Sequence, residues 1–161
     1  MTMTKRQIFY SFHFDNDVMR VQQVRQMGVV EGNTPVSPNT WEEVKRTKAS
    51  IEKWIDDNMK YKSCAIVLIG TETYKRPWVK YEIEKAWKDS KGLFGIHVHN
   101  LTCPNNGKCA KGPNPFDAIT FKHGDKVVVP MVYDPKASDA YNDIAANLSA
   151  WVEAAIKQQG G

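Results

Sequence analysis

Three observations predict an α/β protein built on a parallel sheet flanked by helices. Cys64-Ala65-Ile66-Val67-Leu68-Ile69 is an apolar run of strand length without alternation, as suits a strand buried on both faces. Gly70 ends that run, and Pro77 stands where a new helix accepts proline. Elsewhere, strand-like runs are separated by helical stretches of roughly 10 to 20 residues, the spacing of βαβ crossovers.

The elements follow in order. Ile8-Phe9-Tyr10-Ser11-Phe12 is a first strand by its β-branched and aromatic content. Asp15 or Asn16 can cap a helix reaching about Met27, in which Val18, Val21, Val24 and Arg25 set one side. Gly28-Val29-Val30-Glu31 reads as a short second strand, and Asn33 to Asn39 as a loop rich in proline and asparagine. A helix from about Trp41 to Met59 follows, with Val44, Ile51, Trp54 and Ile55 inward. After the buried strand come a helix over 77–90 and a strand over Leu93 to Val98. Asn100 to Gly124 is a polar stretch too long for an ordinary connection, which points to a segment that is either functional or partly mobile. Val127 to Val132 is the last strand, with Pro130 marking an edge or a terminus. The final helix, about Ser138 to Gln158, carries Tyr141, Ile144, Leu148, Val152, Ala155 and Ile156 at helical spacing.

The helix after Pro77 carries two glutamates with different neighbours. Val79, Ile83, Ala86 and Ser90 form its core-facing stripe. Glu84 has Lys80 one turn before and Lys88 one turn after, so it reads as a solvated partner in surface ion pairs. Glu82 has Trp78 before and Ala86 after, with no cation at either position. A carboxylate beside an indole, at the carboxyl end of a central strand, is a candidate for a raised pKa and for stabilising a developing positive charge. The plainer reading is a surface glutamate near the positive end of the helix dipole.

Composition bounds the remaining possibilities. The chain has 161 residues, 42% of them hydrophobic, enough for one sizeable core and most simply a single domain over 1–161. A net charge of +4, with Lys and Arg scattered among acids, favours weak attraction to anions such as nucleotides over nucleic-acid binding. No run is long and apolar enough to span a membrane, and the first residues lack a signal-peptide core. Three cysteines, an odd number, suit a reducing compartment, so the expected location is cytoplasmic. Neither Gly-x-Gly-x-x-Gly, nor Gly-x4-Gly-Lys-Ser/Thr, nor Gly-x-Ser-x-Gly occurs, which argues against a Rossmann fingerprint, a P-loop and an α/β-hydrolase elbow. The first strand instead ends in Ser11-Phe12-His13-Phe14-Asp15, an aromatic rim able to stack on flat rings.

Several motifs in order carry a family resemblance. They are Tyr10-Ser11-Phe12-His13-Phe14, Val67-Leu68-Ile69-Gly70, Arg76-x-Trp78-Val79-x-Tyr81-Glu82-Ile83, Gly95-Ile96-His97 and Lys111-Gly112-Pro113-Asn114-Pro115-Phe116-Asp117. Over Lys5 to Asp117 the chain resembles the TIR-like proteins of bacterial Thoeris anti-phage systems. The resemblance implies a flavodoxin-like TIR fold with a five-stranded parallel sheet in order 2-1-3-4-5. It implies an enzyme that cleaves the nicotinamide–ribose bond of NAD, taken as substrate and not as cofactor. The product would be a cyclic or conjugated ADP-ribose, a diffusible signal that reaches an effector protein. Self-assembly is also within the family's range, with neither nucleic acid nor membrane as partner. By the same resemblance Glu82 matches the catalytic glutamate, and Trp78 the aromatic lining the nicotinamide side. Ser11, Phe12 and His13 match the turn that contacts the dinucleotide, and Trp41 lies just after the loop that gates the cleft. The chain departs from the pattern in its faint second strand and in having the Asn100 to Gly124 stretch where a fourth helix is usual.

Three other readings compete. His97, His99, Cys103 and Cys109 could be drawn as a metal site, but Cys-x5-Cys fits common zinc spacing poorly, and two exposed thiols in a turn-rich tip are expected instead. A non-catalytic TIR scaffold would use the same fold to bind partners. A receiver-like domain is disfavoured because the first strand ends without the acidic cluster that a Mg²⁺-dependent phosphoacceptor needs.

Overall fold

The computed structural model describes residues 6–32, 47–102, 108 and 110–160, with the side chains of 14–16, 18, 31, 32, 48 and 160 outside that description. Its main sheet is built on β1 (Gln7–Ser11), β3 (Cys64–Ile69) and β4 (Gly92–His97). The two-residue strands β2 (Glu31–Gly32) and β7 (Val132–Tyr133) flank them, giving the order β2-β1-β3-β4-β7. Every neighbouring pair is parallel. Register aligns Ser11 with Val67 and Val67 with Gly95, so the carboxyl ends of the three central strands open on one edge.

The sheet is covered on both faces, which is why its central strands lack polar alternation. Ile8, Tyr10, Ile66, Leu68, Phe94 and Ile96 pack with Val21 and Val24 of α1 (Phe14–Gln26) and with Ile144, Leu148 and Val152 of the last helix, α4 (Ala140–Gly160). The alternate residues Phe9, Ala65, Val67, Ile69 and Leu93 pack with Ile51 and Ile55 of α2 (Lys48–Met59) and with Val79, Ile83 and Ala86 of α3 (Pro77–Lys88). A fully buried isoleucine stabilises by about 1.5–3 kcal/mol, so these two layers hold α3 firmly against the sheet. The parallel α/β class with helices on both faces is as the sequence predicts.

Several expectations are corrected. Thr47 is extended (φ −135°, ψ 154°) and its side chain caps α2 by accepting from the Ser50 amide, so the helix starts at Lys48 and does not run through from Trp41. Trp41 and Val44 themselves lie outside the described residues, and α1 begins at Phe14, so Asp15 and Asn16 lie inside its first turn and neither is its cap. Gly28, at φ 70°, ends α1 and delays the second strand to Glu31, which pairs with Gln7. Ser90 lies beyond the end of α3 in the left-handed region, φ 58°, and is exposed, so it leaves the core stripe.

The predicted strand Val127–Val132 divides. Lys126–Val127 (β6) folds antiparallel onto Lys122–His123 (β5), and the sheet strand proper is Val132–Tyr133. Val127, Val129 and Met131 are 59%, 67% and 52% exposed, so an apolar run with β-branched residues did not mean burial here. Within the expected 100–124 loop, a 3₁₀ turn at Pro115–Ala118 buries Phe116 beneath α3's side of the sheet. Tyr141 is exposed at the start of α4 and does not join its inner stripe.

Two glycines show how closely backbone approaches the strand ends. A Cβ on Gly112 would run into the carbonyl oxygens of Gly70 and Thr71, and one on Gly70 into the Asp17 carboxylate. The 110–113 segment therefore crosses directly over the end of β3, where the Thr71 hydroxyl also donates to the Ala110 carbonyl at 2.6 Å.

Candidate active site

The candidate site forms where the ends of β1 and β3 meet the first turns of α3. Pro77 at the start of α3 needs no amide partner there, and its fixed φ launches the helix directly out of the β3 connection. That start places Val79, Glu82, Ile83 and Ala86 on the buried side and Lys80, Glu84 and Lys88 on the exposed side. The burial of Glu82 follows from the strand it faces. Ser11, the last residue of β1, donates its hydroxyl to Glu82 Oε1 at 2.7 Å, although the two are 71 positions apart.

Glu82 is 8% exposed and Ser11 1%. Burial pushes the Glu82 carboxyl up to about 8, and the Ser11 hydrogen bond opposes that rise. No cation contributes to the balance, as the sequence neighbours suggest. Glu84 is instead more than half exposed and meets Lys80 at 3.9 Å. The two carboxylates therefore differ in the way their neighbours predict.

Trp78 is half-buried, one turn before Glu82, and its ring meets Tyr81 edge-on with centroids 5.5 Å apart. Tyr81 in turn donates its hydroxyl to Asp56 Oδ1 of α2 at 3.0 Å. This Asp56–Tyr81–Trp78 connection was not foreseen from sequence. Tyr81 sits one position before Glu82 within the quoted motif, but only the packing of α2 against α3 shows its partner.

On the β1 side, Phe12 is half-buried against the opposite core layer and His13 is 7% exposed, while the Phe14 side chain lies outside the described residues. The His13 carbonyl accepts from the Asp17 amide at 2.9 Å. Asp17 is fully buried and paired with the equally buried Arg20 at 2.8 Å, and Arg20 reaches the Leu101 carbonyl at 2.9 Å. Burial raises the Asp17 carboxyl, and Arg20 opposes that rise. The pair ties the turn after β1 to the segment after β4, a buried brace for the rim of the crevice.

Of the sequence-predicted residues, Ser11 and Glu82 are joined directly. Trp78 lies on the same helix, and Phe12 and His13 follow Ser11. His97 and His99 lie further along, at the end of β4, with ring centroids 5.8 Å apart, and burial lowers both below the usual histidine range. The Lys111–Asp134 ion pair, 2.7 Å, lies beside them. Cys103 and Cys109 lie outside the described residues. Among the described residues, no helix is long and apolar enough to cross a membrane.

Two comparisons with known proteins bear on the identity of this chain. The family model described as "Thoeris protein ThsB, TIR-like domain" matches residues 9–103, a span that includes Ser11, Trp78 and Glu82. A protein of Bacillus cereus (strain MSX-D12) named "Putative cyclic ADP-D-ribose synthase ThsB1" is 32% identical over 127 residues, covering 75% of this chain. The aligned region spans 66% of that relative, just under two thirds of its length. The chain belongs to the Thoeris ThsB family, and its TIR-like domain is the part that carries the Ser11–Glu82 contact.

Proposed function

We propose that this chain is one flavodoxin-like TIR domain that cleaves the nicotinamide–ribose bond of NAD and releases a cyclic or conjugated ADP-ribose as an anti-phage signal. The strand order β2-β1-β3-β4-β7 supports the fold part of this reading, and the relative's name supports the chemistry. The observation that carries it is Glu82: a buried carboxyl with no cation beside it, at the carboxyl ends of the strands.

The chemistry follows from charge. The glycosidic C–N bond breaks heterolytically, its electron pair leaves with nicotinamide, and the ribose is left with oxocarbenium character. Nicotinamide in NAD already carries a positive charge, so it departs neutral and needs no general acid. That same charge, brought beside Glu82, favours the ionised carboxylate that burial alone disfavours. Glu82 then faces the ribosyl cation across a site of low dielectric, where such stabilisation is strongest. Trp78 lines the nicotinamide side as a ring to stack on, with Tyr81 and Asp56 holding its angle. Phe12 and His13 flank the dinucleotide from the β1 side. If an adenosine hydroxyl captures the cation, the product is cyclic and the hydroxyl proton is released; if water does, ADP-ribose and a proton result. The product then acts in the cytoplasm on a separate effector, and assembly of several copies would enclose the cleft further.

Incubating the full chain with NAD and separating products by chromatography tests this reading. Release of nicotinamide with an ADP-ribose product, abolished in Glu82→Gln, is the expected result. Intact NAD in every condition that binds it would leave the alternative, a TIR scaffold acting by protein contacts.

A further inference from the structure

We propose that Ser11 is a positioning residue for Glu82 and not a substrate contact. The inference rests on the catalytic role proposed for Glu82, and it changes what Ser11 was expected to do from sequence. Ser11 is 1% exposed and its hydroxyl already donates to Glu82, while Glu82 itself retains 8% exposure. Ser11 is the one side-chain hydrogen-bond partner of Glu82 among the described residues. It occupies Oε1 at 2.7 Å, which leaves Oε2 as the oxygen without a side-chain partner.

The contact has a mechanical consequence. Ser11 ends β1, a strand paired with β3 over four residues and fixed by the core on both faces. Glu82 sits on α3, which touches β1 itself. A short hydrogen bond between them fixes the rotamer of a side chain with three rotatable bonds that would otherwise sample several wells. It also has an electrostatic consequence. A hydroxyl donating to a carboxylate favours the charged form, so it partly offsets the burial that favours the neutral one. Ser11 thereby sets both where the carboxylate points and at what pH it becomes available.

The test uses the full chain as wild type, Ser11→Ala, Ser11→Thr and Glu82→Gln. Titration of the Glu82 side-chain carboxyl by carbon NMR, assigned by its absence in Glu82→Gln, reads the coupling without requiring turnover. Ser11→Ala should move the midpoint upward by about one pH unit, because a hydrogen bond to a charged group is lost. The acid limb of kcat/KM for NAD should move with it, giving about a tenfold loss on that limb. KM should stay within about twofold where Glu82 is ionised. Ser11→Thr, which keeps the hydroxyl, should restore the wild-type limb. Should the threonine not fold, as judged by circular dichroism, Ser11→Cys keeps a weak donor and should fall between wild type and alanine. An unmoved Glu82 midpoint in folded Ser11→Ala, or a raised KM with an unmoved limb, overturns the positioning role. Undiminished NAD turnover in Glu82→Gln overturns the catalytic reading instead, so the two failures are told apart.

Discussion

Glu82 and Glu84 lie two residues apart on α3 and occupy different solvents. Glu84 is more than half exposed beside Lys80, where water screens its charge. Glu82 is sealed against β1 with a serine hydroxyl as partner and its carboxyl raised to about 8. The difference comes from which face of one amphipathic helix each residue occupies. It teaches that the state of a carboxyl here is set by packing: the same side chain becomes a surface ion pair or a high-pKa group according to the element it meets.

The largest expected effect on stability isolates that burial. An unfolded glutamate ionises near 4.5, whereas folded Glu82 keeps its proton to about 8. Its contribution to stability is therefore fully present below the unfolded value and is lost as pH rises through the folded one, by at most about 5 kcal/mol. Glutamine cannot ionise. Glu82→Gln should match wild type in urea unfolding near the lower limit and exceed it above the upper one, and a gap that stays constant with pH would break the contrast between the two glutamates.

Trp78→Ala sharpens it from the ligand side. A half-buried stacking ring should cost about 1–3 kcal/mol of NAD contact, read as a raised KM, with little loss of fold. Trp78→Phe should retain more. An unfolded alanine variant would place Trp78 in the core and the cleft elsewhere. Tyr81→Phe should cost about 0.5–1.5 kcal/mol in unfolding free energy, the range of one hydrogen bond, here that to Asp56. A change beyond that range would mean that Tyr81 does more than brace Trp78. Smallest of all, Glu84→Gln should change unfolding free energy by less than about 1 kcal/mol, at any pH from 5 to 9.

Much of the fold was legible because its signals are local. The six apolar residues of β3 become six buried ones, and Val79, Ile83 and Ala86 form the inner stripe that their spacing predicts. What was misread turned on a hairpin, a cap and contacts between distant elements, none of which composition marks. Val127-Val128-Val129 has strand composition, but its neighbour in space is a hairpin partner at Lys122 and not the sheet, so two of the three valines stay exposed. The start of α2 depends on the Thr47 side chain capping the Ser50 amide, which the spacing of apolar residues does not mark. In the site, the neighbours of Glu82 separated it from Glu84, since helical spacing alone decides who sits one turn away. Its link to Ser11 was not legible, because strand register and helix docking together bring residues 71 positions apart into contact. Nor was Asp56, whose role appears only when α2 lies beside α3.

The central claim is that the buried glutamate, and not its exposed neighbour, performs the chemistry. The most direct test measures NAD consumption by wild type, Glu82→Gln and Glu84→Gln under one set of conditions, with folding of each checked by its thermal midpoint. The predicted result is a folded Glu82→Gln slowed by about 10²-fold or more, the usual cost of losing such an electrostatic contact, beside a Glu84→Gln close to wild type. Equal rates in the two variants would remove Glu82 from the mechanism.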